Sequence, residues 1–201
     1  NNLTANVSNA NATAVVADNS INGLLNQLYA SASGNTATAT VSDNTLNGVY
    51  NGISANASGD NSTATASYNG ITGKYNSVSA TAGGDNSTAT ANANTIDGTF
   101  NGVSASASDA NSVANASANN LLGMFNGVSA SASNGADAAA TSNTLNGVGN
   151  NATATADGAN SSANVASNTM NGSGNAVMAD ATADGTASVN TSENADSSTR
   201  I

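Results

Sequence analysis

The sequence contains no cysteine, proline, histidine or tryptophan. Without cysteine no disulfide can cross-link the chain, and without His or Cys no Ser–His or Cys–His nucleophile can be assembled. Aromatic residues make up only 3% of the chain and charged residues only 7%. These absences predict that the chain is not an enzyme and that it uses neither a cofactor nor a small-molecule substrate.

Basic residues and long apolar runs are also scarce. Lys74 and Arg200 stand against twelve acidic residues, which gives a net charge of −10. Because binding to phosphates needs clustered lysine and arginine, we expect no nucleic-acid partner. No apolar run approaches the roughly 20 residues that span a bilayer, so we expect no membrane insertion. No signal peptide is recognisable, as expected of a secreted chain from which it has already been removed.

What the chain has instead is a repeat of about 25 residues. One glycine recurs at intervals of 25, 25, 25, 25, 24 and 25, with the missing residue near position 135: Gly23, Gly48, Gly73, Gly98, Gly123, Gly147 and Gly172. Asparagine stands four residues before it, at Asn19, Asn44, Asn69, Asn94, Asn119, Asn143 and Asn168. Asparagine also stands three residues after it, at Asn26, Asn51, Asn76, Asn101, Asn126, Asn150 and Asn175. A disordered chain has no reason to keep such columns in register, so the repeat predicts an ordered structure.

Within one repeat the conserved spacing is two residues, which is the period of a strand with one face inward. The step from Gly48 to Asn51 is an odd number of residues and so breaks the period of two, which predicts a bend that glycine tolerates. A turn is predicted at residues 59–61, Gly-Asp-Asn. The fold class that follows is all-β: one β-solenoid domain over residues 1–201, with about eight 25-residue coils and roughly three short strands per coil.

The core of this solenoid is predicted to be thin, because alanine supplies most of the 38% of residues counted as hydrophobic, with few Val, Ile and Leu. Stacked coils lie about 4.8 Å apart, a spacing at which side-chain amides can bond up and down as ladders. We therefore expect both asparagine columns to point inward and to form ladders.

The two ends of the chain have nearly the same phase in the repeat. Asn1 is in phase with Asn26, and Ile201 follows Asn175 by 26 residues. Neither end shows proline or a charged block that would cap a strand edge. We expect that further copies bind head to tail at these open edges of matching phase. A head-to-tail contact of this kind generates open filaments.

The motif also resembles a known family. It reads Asn44-x-Leu46-x-Gly48-x-Tyr50-Asn51-Gly52-Ile53-x-Ala55-x-Ala57, followed by Gly59-Asp60-Asn61. It resembles the repeats of bacterial functional amyloids of the Fap type. The resemblance implies secretion through the outer membrane, an extracellular or cell-surface location and a role in a biofilm. The predicted function is therefore a structural subunit of an extracellular self-assembling fibre, with copies of itself as its partner.

Two alternatives remain open. The first rests on outward threonines in Thr-x-Thr pairs, which resemble the flat faces of β-solenoid ice-binding proteins: Thr38, Thr40, Thr63, Thr65, Thr88 and Thr90. The second is the stalk of a larger adhesin or phage fibre. No metal site is predicted, because each aspartate at the turn offers one ligand whereas calcium needs six to eight oxygens.

Overall fold

The computed structural model describes residues 1–194 and 197–200. All described regular structure is β-strand, and every strand pair is parallel. The strands are β1 (Asn2–Ser8), β2 (Thr13–Ala17), β3 (Ser20–Ser33), β4 (Thr38–Ser42), β5 (Thr45–Ser58), β6 (Thr63–Ser67), β7 (Gly70–Gly83), β8 (Thr88–Asn92), β9 (Thr95–Ala107), β10 (Val113–Ser117), β11 (Asn120–Ala132), β12 (Asp137–Thr141), β13 (Thr144–Val148), β14 (Asn151–Ala156), β15 (Ser162–Asn171), β16 (Asn175–Ala181), β17 (Thr186–Asn194) and β18 (Ser197–Arg200).

Each strand pairs with the equivalent strand of the next coil. Asn26 of β3 is opposite Asn51 of β5, which is opposite Asn76 of β7. This pairing of residues 25 positions apart produces a β-solenoid of about eight coils and confirms the predicted fold class. The predicted three strands per coil are present, but two of them usually run together: β3, β5, β7, β9 and β11 continue around the glycine bend, whereas β13 and β14, and also β15 and β16, are separated there.

The inside of the coil is filled mainly by small apolar side chains. Along β5 the buried residues alternate with partly or fully exposed ones, as the period of two predicted. The core consists of alanine columns with one or two larger aliphatic side chains per coil, such as Leu46, Ile53 and Ile71, each of which is almost completely buried. The thin Ala/Val/Ile/Leu core is therefore confirmed.

The glycine column lies where successive coils come closest. A Cβ placed on Gly48 would be 1.8 Å from the carbonyl oxygen of Gly23, and one on Gly98 would be 1.6 Å from that of Gly73. Some members of the column also have a left-handed backbone, such as Gly123 with φ of 123°. Glycine is needed here mainly because any side chain would collide with the coil below.

A second corner carries no glycine, and the sequence analysis did not identify it. It lies one residue before each asparagine of the first column, where Asp43, Tyr68 and Ala93 have φ of 57°, 54° and 53°. The complete set of residues with left-handed backbone at this corner is Asp18, Asp43, Tyr68, Ala93, Ala118, Ser142 and Ser167. Because these residues share no side-chain chemistry, the sequence pattern gives no signal there.

Irregularities of the repeat are confined to turns and corners. The turn between β9 and β10 runs from Ala107 to Val113, and the equivalent turn between β11 and β12, from Ala132 to Asp137, is one residue shorter. The missing residue of the repeat therefore lies in the turn between β11 and β12. Register also shifts between Ala166 and Thr169 against β17. The predicted phase of Ile201 lies outside the described residues.

We expect Gly98→Ala and Gly102→Ala, two changes in the same strand, to have opposite effects. Alanine at 98 collides with the Gly73 carbonyl and should destabilise the fold by about 1–3 kcal/mol or more. Alanine at 102 meets nothing closer than 3.9 Å and should be neutral or stabilising, because strand glycine is less favourable than alanine by roughly 0.5–1 kcal/mol. Denaturant unfolding followed by circular dichroism measures both. Equal destabilisation would contradict the close approach of the coils.

Candidate functional site

The first asparagine column forms a ladder of hydrogen bonds inside the solenoid. Nδ2 of Asn44 donates to Oδ1 of Asn69 at 3.0 Å, and Nδ2 of Asn69 donates to Oδ1 of Asn94 at 3.0 Å. The same bond joins every successive pair from Asn19 to Asn168. We call this column the first ladder; its formation confirms the prediction.

The first ladder also stabilises the corner that lacks glycine. Oδ1 of Asn69 accepts a second hydrogen bond from the backbone N–H of Asn44 at 3.2 Å, and Nδ2 of Asn44 reaches the carbonyl of Val16 at 3.1 Å. A buried backbone N–H that leaves the strand ladder at a bend needs another partner. The asparagine of the next coil supplies that partner, so the left-handed residue before it can be Asp, Tyr, Ala or Ser.

The second ladder lies at the glycine bend. Nδ2 of Asn51 donates to Oδ1 of Asn76 at 2.9 Å, and also reaches the carbonyls of Gly48 at 3.4 Å and Thr72 at 3.1 Å. Side-chain bonds of the same kind run without interruption from Asn1 to Asn175. This ladder therefore ties the glycine column of one coil to the coil above it.

Both ladders have a direction. In every rung the donor Nδ2 belongs to the earlier coil and the acceptor Oδ1 to the later one. At the far end of the second ladder, Asn175 accepts from Asn150 and donates to the Met170 and Gly172 carbonyls of its own coil. The two ends of the stack therefore have different hydrogen-bonding character.

The Thr-x-Thr pairs form two outward rows. Thr38, Thr63 and Thr88 are aligned in register, and the second row is aligned one step further along the strands: Thr40, Thr65 and Thr90. All six are partly exposed. The first row is preceded by Thr13 and followed by the exposed Val113, and the second is preceded by the exposed Val15 and followed by Asn115.

An exposed stack of aromatic rings follows the glycine bend, and the sequence analysis did not combine these residues into one feature. Tyr50, Tyr75, Phe100 and Phe125 lie face to face, with centroid separations of 4.8, 5.1 and 4.9 Å. We call these four residues the aromatic ridge. Their occurrence at one position of four successive repeats was the signal that could have revealed it. Because each ring covers the face of the next, the ridge presents mainly ring edges to solvent.

Tyr29 lies on the face that follows the ridge. Hydrogen bonding with Ser31, and secondly with Asn56, lowers the pKa of its hydroxyl below the ordinary value, against a small opposing effect of burial. The same position in the next coils holds Ser54 and Ser79. Tyr29 therefore interrupts a row of small hydroxyl side chains, with Thr4 on one side and Ser54 on the other.

The aspartates of the turn bond to backbone groups. Oδ1 of Asp60 accepts from the Asp85 N–H at 3.3 Å, and Oδ1 of Asp85 accepts from the Ala110 N–H at 3.2 Å. Asp109 likewise accepts from the Gly84 N–H at 2.9 Å. Within the described residues no three His, Cys, Asp or Glu side chains are grouped so that they could hold a metal ion.

Comparison with known proteins gives no relative: no family description, no curated protein and no solved structure matches the chain. No helix in the described part of the chain is long and apolar enough to cross a membrane. The fold and the ladders define the chain as a β-solenoid repeat protein. The resemblances to Fap-type subunits and to ice-binding proteins stay predictions.

We expect Asn44→Ala to destabilise the solenoid more than Asn47→Ala, although both asparagines lie in one repeat. Loss of the Asn44 side chain removes the acceptor used by both the backbone N–H and Nδ2 of Asn19. Each buried group left without a partner costs about 1–3 kcal/mol. Asn47 is exposed, so its replacement should change the free energy of unfolding by no more than about 0.5 kcal/mol. Equal effects in denaturant unfolding would argue against a stabilising ladder.

Proposed function

We propose that this protein is a structural subunit of an extracellular fibre, in which copies associate head to tail. The observation that supports this proposal is the repetition of every coil-to-coil contact. The two ladders and the parallel backbone bonds recur from coil to coil with almost no change. The same contacts extend the stack whether the next coil belongs to the same chain or to another copy.

The directional ladders favour an open filament. A contact between a donor end and an acceptor end is heterologous, and a heterologous contact that does not close into a ring generates a filament. Within the described residues, β1 and β2 at one end pair on one side only, as do β17 and β18 at the other. Unpaired parallel edges are templates for addition of another strand.

The chemistry of the surface is consistent with a structural role. Most outward positions are Ser, Thr, Asn or Gly, and the net charge of −10 is spread along the chain. The resemblance to Fap-type subunits favours a biofilm matrix or a surface filament as the setting. A stalk within a longer adhesin or phage fibre would use the same coil contacts within one chain, so assembly of the isolated chain separates the two roles.

We expect the purified chain to form uniform filaments in electron micrographs, with an axial subunit repeat of roughly 38 Å from eight coils of about 4.8 Å. In β1 the Asn1 carbonyl bonds to Gln27 of the next coil, so by strand alternation the Thr4 N–H points to the open side. Thr4→Pro removes this donor and should abolish filaments.

Thr4→Ala is the matched control, because it keeps the backbone donor and should still assemble. Circular dichroism of the Thr4→Pro protein should retain the β spectrum of the parent, since no internal hydrogen bond is lost. Filaments that form equally well from Thr4→Pro would rule out assembly through this edge. Monodisperse particles of the parent chain would reject the fibre proposal as a whole.

Ice binding is the second candidate, and the alignment of the threonines favours it. The two rows span three coils on strands β4, β6 and β8, and so present hydroxyl and methyl groups at the coil spacing. Such a surface needs to be flat, rigid and poorly charged, and these rows contain no charged side chain. Their short extent makes this function secondary to the fibre.

We expect that an ice-binding role would appear as thermal hysteresis of the dilute protein. Thr65→Lys at the centre of the rows should then reduce the hysteresis by most of its value, because a long charged side chain disrupts the flat surface. Ser54→Lys, on another face, should leave it unchanged. Absence of hysteresis in the parent protein excludes this second candidate.

A further inference from the structure

A shallow groove runs beside the aromatic ridge along the axis of the solenoid. Its floor is the outward column immediately after the second ladder, formed by Gly52, Ser77, Gly102 and Gly127. One depression contains Gly52 and Ser77, and a second contains Ser77, Gly102 and Gly127. The two depressions share the lining residue Ser77, so they adjoin along the axis, and together we call them the glycine groove.

The fold does not require glycine on the floor of this groove. A Cβ on Gly52 would meet nothing closer than 3.8 Å, and one on Gly102 or Gly127 nothing closer than 3.9 Å. None of these three residues has a left-handed backbone. This contrasts with Gly98, four residues before Gly102, which has no room for a side chain. Glycine inside a strand weakens it, and one of the features that it often marks is a site where a ligand or another backbone approaches closely. The open glycines of this column are consistent with such an approach.

The aromatic ridge beside the groove lies among most of the exposed large hydrophobic side chains of the described surface. Its four rings are 44–50% exposed. The ridge continues into Leu25, and the neighbouring column holds exposed Leu24, Met124 and Val148 towards its ends and Lys74 and Thr99 in its middle. A contiguous exposed apolar surface of this kind marks an interaction site.

We propose that the ridge and the groove form a lateral interface between two copies of this solenoid, with the ridge of each copy seated in the groove of the other. The two features lie in adjacent outward columns, Tyr50 beside Gly52. A two-fold rotation about an axis parallel to the solenoid therefore brings each ridge over the opposite groove. Such a contact is isologous, in which the same patch serves both partners.

The periodicity of the surface selects a second copy as the occupant. Ridge and groove both repeat once per coil, so two copies match at every ring from Tyr50 to Phe125. A partner with a different axial repeat would lose this match after one or two coils. A flat ligand is also disfavoured, because the rings of the ridge already cover one another's faces.

The distribution of charge permits the same pairing. Two chains of net charge −10 repel each other over most of their surfaces. The ridge, the groove and the residues between them form one strip along the solenoid. This strip contains no carboxylate, and Lys74 is its one charged residue. It comprises residues 24–29, 49–54, 74–79, 99–104, 124–129 and 148–153. This strip is therefore where two copies can approach with little electrostatic cost.

The test fills the groove without disturbing the fold. The double variant Gly102→Thr/Gly127→Thr adds side chains to two open positions, and Gly70→Thr is the matched control. A Cβ on Gly70 also meets nothing within 4 Å, and the same column already holds Thr45 and Thr95. Circular dichroism should show all three proteins folded alike.

The lateral contact is measured by analytical ultracentrifugation of the soluble chain and by the number of solenoids across each filament in cryo-electron microscopy. The parent and Gly70→Thr should pair. The groove variant should pair about tenfold more weakly or worse, the effect of removing one well-packed contact from an interface. Phe100→Asn/Phe125→Asn removes two of the four rings of the ridge, with asparagine suited to the left-handed backbone at both positions, and should also weaken pairing.

The outcomes separate this inference from the proposed fibre, because the lateral contact uses the sides of the solenoid and the fibre contact uses its ends. Pairs without filaments would support the lateral interface and reject the fibre. Filaments one solenoid wide, or pairing that is as strong in the groove variant as in the parent, would overturn the lateral interface and leave the fibre intact.

Discussion

The hydrogen bond between asparagine side chains of adjacent coils is the interaction on which the rest of the structure depends. An amide carries both a donor and an acceptor, so a column of asparagines at the strand spacing satisfies itself without a second residue type. Asn69 shows the full arrangement, since its Oδ1 accepts from the side chain and from the backbone of Asn44. The ladders thus hold the two bends where backbone pairing is weakest, and the bends define the shape of each coil.

The ladders are important for the stability of the fold because the hydrophobic core is thin. Each coil buries mainly alanine, with a residue such as Leu46 or Ile53 as its largest apolar side chain. Burying one such side chain contributes roughly 1.5–3 kcal/mol, which is far below the conformational entropy of ordering 25 residues. A coil is therefore stable only between neighbours that share its hydrogen bonds and its core. This dependence on neighbours is consistent with the proposed continuation of the stack from one copy to the next.

The sequence predicts those features that burial and close packing constrain. Inward positions allow few residue types, so the ladders at Asn44 and Asn51 and the bend at Gly48 are visible as columns. The corner at Asp43 is invisible, because the next coil's asparagine stabilises its left-handed backbone and leaves its own side chain free to vary. The repeat separates a glycine required by the fold, Gly98, from an unconstrained one, Gly102, because the first column is glycine in every repeat whereas the second also holds Gln27 and Ser77. The aromatic ridge left a signal in four repeats, but the stacking and the exposure of its rings required the structure.

The two proposed contacts, one head to tail and one lateral, complement each other. The proposed head-to-tail contact is polar and can be repeated without limit, but each junction depends only on the hydrogen bonds of one coil edge. The lateral contact repeats at every coil between Tyr50 and Phe125, so two copies can pair at offsets of a whole number of coils and retain part of the match. An offset places the junction between two subunits of one solenoid against the unbroken middle of its neighbour. In the proposed assembly, lateral pairing would therefore strengthen the end-to-end junctions of the filament, and the glycines would keep the groove open for that contact.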